Sequence, residues 1–172
     1  MFNPFELFAL PVSFQLDLTQ LSQQYLQLQK QLHPDNFSTA TEQEQRLALQ
    51  KSTQVNDAYQ MLKDPILRAE AILRLALQKP VESENTTHDL EFLMQQMELR
   101  EQLEQAEQQQ DEVLLETLLA QAKESYQENL ASLTDKIEQQ DWVGTKQMID
   151  RLKFIQKLQQ EIERLEEKLF DF

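Results

Sequence analysis

The chain has 172 residues, with one glycine, five prolines, no cysteine and a formal charge of −14. Glutamine fills 28 positions, and turns that need glycine are nearly excluded, so the composition favours helix throughout. The missing thiols rule out disulfides and thiolate metal sites, and no apolar run approaches the roughly 20 residues that span a bilayer.

The charge is unevenly spread. Residues 1–79 hold 7 Lys/Arg against 8 Asp/Glu, whereas residues 80–172 hold 9 against 22. This asymmetry points to two units and makes nucleic acid and anionic membranes poor partners for the second. A solvated acidic surface kept for solubility explains the charge as well as a docking role does. The two histidines, His33 and His88, are far apart; a metal held by carboxylates alone is conceivable, but no calcium-loop spacing occurs and no metal is expected. The opening Met1-Phe2-Asn3-Pro4-Phe5-Glu6 lacks the basic stretch and apolar core of a signal peptide. A soluble, cytoplasmic protein is the expectation.

In chain order, Phe5, Leu7, Phe8 and Leu10 form a short apolar cluster ending at Pro11, enough for one or two helical turns. Asp17, with Gln20 three residues on, opens a helix whose stripe is Leu18, Leu21, Tyr25, Leu28 and Leu32. It stops at His33, because the residue before Pro34 is pushed out of the α region. Asp35 to Ala40 reads as a polar loop. Thr41 and Glu44 make a second capping box, and the helix that follows to about Lys63 turns Ala48, Ser52, Val55, Ala58, Tyr59 and Leu62 inward. Two facing stripes with a short connection predict an antiparallel pair.

Asp64-Pro65 opens a shorter helix carrying Ile66, Leu67, Ala69, Ala71, Ile72, Leu75 and Leu77, stopped by Lys79-Pro80. Residues 77–87 are the expected linker, polar from Val81 to Thr87. Three long helical patterns follow, roughly 88–109, 111–138 and 141–170, with N-caps at Asp111 and Asp141. The middle one buries Leu115, Leu118, Leu119, Ala122, Tyr126, Leu130, Leu133 and Ile137. The last buries Met148, Leu152, Ile155, Leu158, Ile162, Leu165 and Leu169. These stripes predict a three-helix bundle, with a long intermolecular coiled coil as the competing architecture.

The tripeptide His33-Pro34-Asp35 stands between the paired helices. Pro34 stiffens the turn, so little ordering entropy is lost on binding. His33 and Asp35 are then exposed as a donor and an acceptor, and a fixed carboxylate suits a bidentate contact from a partner arginine. The plainer reading is that Pro34 ends a helix and its neighbours are ordinary loop residues. Neither reading makes the chain an enzyme: no nucleophile accompanies the pair, no glycine-rich phosphate loop exists, and no carboxylate pair is singled out except by abundance.

The flanking sequence adds specificity. The short Phe5–Leu10 cluster, the helix ending Gln31-Leu32 and the run Val55-Asn56-Asp57-Ala58-Tyr59-Gln60-Met61-Leu62 occur around the tripeptide in the order found in J-domains, and residues 1–76 resemble that family. The resemblance implies an activator of ATP hydrolysis on a DnaK-type chaperone, contacted by His33, Pro34 and Asp35 with Tyr25, Lys30 and Asn36 beside them. Residues 18–32 depart from the usual basic second helix, holding only Lys30 amid glutamines, and Asn36 stands where lysine is common. Long-range attraction should be correspondingly weaker.

On a helical wheel of the segment after His88, Phe92, Leu99, Leu103 and Ala106 fall within about 60° of one another. Leu90, Leu93, Met94 and Met97 fall nearly opposite, continued by Glu101 and Glu104. A bundle helix needs one apolar face, so the second meets something else: a client, or the first unit. The run Phe92-Leu93-Met94-Gln95-Gln96-Met97-Glu98-Leu99-Arg100-Glu101-Gln102-Leu103 resembles the HscB family of iron–sulfur co-chaperones. So do Asp64-Pro65 with Arg68-Ala69-Glu70, Leu152-Lys153-Phe154-Ile155, and the ending Leu165 to Phe172. This resemblance implies an all-α, L-shaped molecule of a J-domain and a three-helix domain at 88–172. It implies an HscA-like chaperone and an IscU-like scaffold as partners, a monomer, and no cofactor. The scaffold-contacting positions would be Leu93, Met94, Met97, Glu98, Glu101 and Phe154, with leucine common where Met97 stands. A J-protein for another client and a structural helical adaptor remain the alternatives.

Overall fold

The computed structural model describes residues 1–81 and 89–170. They form two compact units, divided between Val81 and Glu82, and no strand occurs among the described residues. The expected linker positions 82–87, the helix start at His88 and the last two residues lie outside the described residues.

In the first unit, α1 (Pro4–Leu7) is capped by Asn3, α2 spans Leu18–Gln31, α3 spans Glu42–Lys63 and α4 spans Pro65–Leu77. Asp17 caps α2 through the Thr19 and Gln20 amides, and the Thr41–Glu44 box is complete at α3. Helices α1, α2 and α4 all pack on α3. The buried core joins Phe5, Phe8, Leu10, Phe14 and Leu21 to Val55, Ala58, Leu62, Ile66 and Ala69. Leu18, Leu67 and Leu77, which belong to the apolar patterns of α2 and α4, are exposed, although Leu67 shares its turn with buried Ile66 and Arg68. Leu73 and Arg68, neither of them placed inward from the sequence, are both buried. The Arg68 guanidinium lies 4.9 Å from the centre of the Phe14 ring and donates to the Leu62 carbonyl at 2.8 Å. Burial holds its pKa below the usual arginine value, opposed by the charge of Asp64.

The second unit contains α5 (Leu90–Gln109), α6 (Glu112–Glu138) and α7 (Trp142–Phe170). Asp111 and Asp141 accept the Leu114 and Gly144 amides as N-caps. Leu103 and Ala106 from α5, Leu115, Leu118 and Ala122 from α6, and Ile155, Leu158, Ile162 and Leu165 from α7 make one core. Contacts from Asp89 to Arg151, Phe92 to Phe154, Arg100 to Glu161 and Glu107 to Lys168 set α5 and α7 parallel in constant register.

With a single glycine, the helices end by other means. Gln78, Gln110 and Gln140 follow α4, α5 and α6 in the left-handed region, with φ of 52°, 50° and 56°. At the α5 end the Asp111 amide reaches the Ala106 carbonyl at 3.0 Å, closing the turn that glycine usually makes.

Candidate functional site

Helix α2 ends at Gln31, and His33 takes φ −59° and ψ 138°, the extended conformation that a following proline imposes. The segment expected to be an irregular loop instead begins with a 3-10 turn at Pro34–Phe37. Its bonds are short-range. The Asn36 amide donates to the His33 carbonyl at 2.9 Å, and the Asp35 amide to His33 Nδ1 at 3.2 Å. The Asn36 side chain reaches back to the Lys30 and Gln31 carbonyls at 2.7 and 3.2 Å, satisfying two orphan acceptors at the end of α2. From the far side, Gln45 of α3 donates to the Phe37 carbonyl at 2.9 Å. The two charge-bearing side chains remain outside: His33 is 60% and Asp35 91% exposed. His33 Nδ1 faces both the Asp35 amide, at 3.2 Å, and Asp35 Oδ2, at 3.4 Å, so the turn engages the ring through that nitrogen.

The seam between α2 and α3 is polar at its surface. Tyr25 stacks on Tyr59 with centroids 4.0 Å apart, and its hydroxyl donates to Asn56 Oδ1 at 2.6 Å. Gln29 bonds the same oxygen at 2.7 Å and accepts from Ser52 at 3.1 Å. Tyr25 therefore spends one ring face on α3, whereas Lys30 is exposed.

On α5 the wheel expectation holds. Leu103 and Ala106 are buried and Phe92 and Leu99 half-buried, while Leu90, Leu93, Met94 and Met97 are 68%, 37%, 67% and 60% exposed. Glu98 and Glu101 are exposed on the same side. Phe154 of α7 is half-buried and meets the edge of Phe92, with centroids 5.5 Å apart. It thus touches the inward side of α5, not the side of Met94 and Glu98. Arg100 lies between: it follows Leu93 by two turns on one face, its guanidinium stands 5.5 Å from the Phe154 centroid, and it pairs with Glu161. At the helix start, Asp89 accepts the Phe92 amide and two Arg151 donors, at 3.0 and 2.6 Å. Burial alone would raise its carboxyl pKa, but the Arg151 and Phe92 bonds and the Arg151 charge hold it below the ordinary value.

Residues 8–70 match the DnaJ domain family, and residues 88–163 match the family described as the HSCB C-terminal oligomerisation domain. Full-length relatives are similar across their whole length. The co-chaperone protein HscB homologue of Mannheimia succiniciproducens is 52% identical, covering 100% of both chains, and that of Haemophilus influenzae 50%, covering 99% of each. The chain belongs to the HscB co-chaperone family. Solved HscB structures agree: that from Vibrio cholerae matches at a TM-score of 0.85 and 44% identity, over 98% of this chain and 100% of its own. The human co-chaperone HscB matches at 0.83 and 28%, over 95% and 82%.

As a J-domain co-chaperone, this HscB-family protein works with a DnaK-type chaperone. Its positions Tyr25, Lys30, His33, Pro34, Asp35 and Asn36 fall on one stretch, the end of α2 and the turn after it. Leu93, Met94, Met97, Glu98 and Glu101 share the outward face of α5, and Phe154 adjoins that face through Arg100. No local pattern in the sequence assigns a role to Arg100, Asp89 or Arg151, whose partners lie 61 or 62 residues away. Among the described residues no cluster of metal-ligand side chains occurs, and no helix is long and apolar enough to cross a membrane.

Proposed function

We propose that this HscB-family protein delivers an IscU-like iron–sulfur scaffold to an HscA-like chaperone and stimulates ATP hydrolysis there, serving iron–sulfur protein maturation in the cytoplasm. In this reading residues 1–76 are the J-domain, 77–87 the linker and 88–172 the client domain, and the protein needs no cofactor of its own. The observation that carries it is an exposed imidazole–carboxylate pair on a bonded turn, in a chain whose second unit exposes Leu93, Met94 and Met97. Asp35 would accept a bidentate contact from an arginine of the chaperone, with His33 Nε2 donating beside it. Stimulation then equals the preference of this contact for the hydrolysis-competent state of the chaperone. Asn36 in place of lysine leaves docking to these hydrogen bonds and to apolar contact.

The scaffold would meet an apolar patch at the start of α5, bordered by Glu98 and Glu101 and flanked by Phe154. Calorimetric titration of an IscU-type scaffold tests this assignment. Leu93→Ala with Phe154→Ala should weaken binding about tenfold or more, and Leu93→Ala alone, which leaves the α5–α7 seam intact, should weaken it at unchanged helicity. Equal affinity of wild type and double variant removes the site. A wild type that binds no scaffold yet stimulates the chaperone serves a different client. We take the monomer as the active state, although the matched family is described as an oligomerisation domain; equilibrium sedimentation separates the two.

A further inference from the structure

From Leu90 to Glu98 every side chain of α5 is exposed or half-buried, and the buried residues of the helix, Leu103 and Ala106, both lie in its second half. A helix with core contact over half its length frays at the other end unless something else restrains it. The restraint runs along the α5–α7 seam as alternating guanidinium and aromatic groups. Asp89 caps the first turn and takes Nε and Nη2 of Arg151 on one oxygen, at 3.0 and 2.6 Å. The Arg151 guanidinium stands 5.4 Å from the Phe92 centroid, Phe92 meets Phe154 edge-on, and Arg100 stands over Phe154 while paired with Glu161. Each rung is weak alone, but rungs repeated in one register fix both the angle and the rotation of a helix.

We infer that Asp89 and Arg151 are positioning residues for the client face: through Phe92 and Phe154 they hold the first half of α5 against α7, so that Leu93, Met94 and Met97 meet the scaffold already in place. The inference rests on the proposed function above. A preformed face avoids the entropy of ordering on binding, and a frayed one does not. Arginine suits position 151 better than lysine because a planar fork can bond one carboxylate with two donors while standing over a ring. The depressed carboxyl pKa of Asp89 agrees with an ion pair made in the folded protein.

The test uses the full chain with Arg151→Leu, Arg151→Lys and Asp89→Asn. Asp89→Asn keeps a capping oxygen and removes only the charge. Arg151→Leu should weaken IscU-type scaffold binding about tenfold, equivalent to about 1.4 kcal/mol. Arg151→Lys should recover part of that loss, and adding Asp89→Asn to Arg151→Leu should cost nothing more, since both break one contact. Amide exchange should quicken from Leu93 to Glu98 while Leu103 to Gln109, α6 and α7 keep their protection. Scaffold binding unchanged in Arg151→Leu overturns the inference. So does exchange that quickens across α6 and α7 alike, which makes Arg151 a residue of general stability. If the wild type binds no scaffold, the client assignment fails, and the exchange pattern still decides whether the rungs hold α5.

Discussion

The turn at His33–Asp35 and the outer face of α5 draw their support from different distances along the chain. At the turn, Asn36 bonds carbonyls five and six residues back, and Gln45 bonds Phe37 from eight residues on. On α5, Asp89, Phe92 and Arg100 are held by partners on α7, 61 or 62 residues away. The turn is thus fixed by the helices it joins, whereas the α5 face exists only once the second unit has folded. Under the proposed function, the chaperone contact would then be fixed locally and the client contact adjusted separately.

The comparison can be broken from either side. Asn36→Ala removes the side-chain bonds that pin the turn to the end of α2, at a cost of about 1 kcal/mol in local order. It should reduce chaperone stimulation by roughly three- to fivefold and leave scaffold affinity untouched, as steady-state ATPase and calorimetry would read. A drop in scaffold affinity would show that the two regions are not independent. Gln110→Gly acts more gently, at the opposite end of α5 from the client face. It relieves a left-handed non-glycine residue with φ 50° and should stabilise the second unit by about 1 kcal/mol in urea unfolding. Scaffold binding should not change, because the first half of α5 is restrained by α7 and not by that turn.

Much of this was legible in the sequence, and the reason is distance. Asp17, Thr41, Asp64, Asp111 and Asp141 cap helices because each cap involves residues two or three apart. The wheel of α5 separated Leu103 and Ala106 from Met94 and Met97 because rotation along a helix is regular. The 3-10 turn was missed since polar residues after a proline are compatible with several turn geometries. Arg68 was missed because burying a guanidinium depends on Phe14 and the Leu62 carbonyl arriving together. Leu67 and Leu77 belong to an apolar run in α4 but are exposed, since a run without a helical period does not say which side meets the core. The Asp89–Arg151 and Arg100–Phe154 contacts require the register of α5 on α7, which no local pattern carries.

In the proposed function an outward imidazole and carboxylate on a bonded turn drive a partner's ATPase. Single-turnover ATP hydrolysis by an HscA-like chaperone, with this protein and an IscU-type scaffold added separately and together, addresses it most directly. The account predicts faster hydrolysis with this protein, faster still with both, and no acceleration by the equally folded His33→Gln variant. Acceleration by His33→Gln equal to that of the wild type would contradict it.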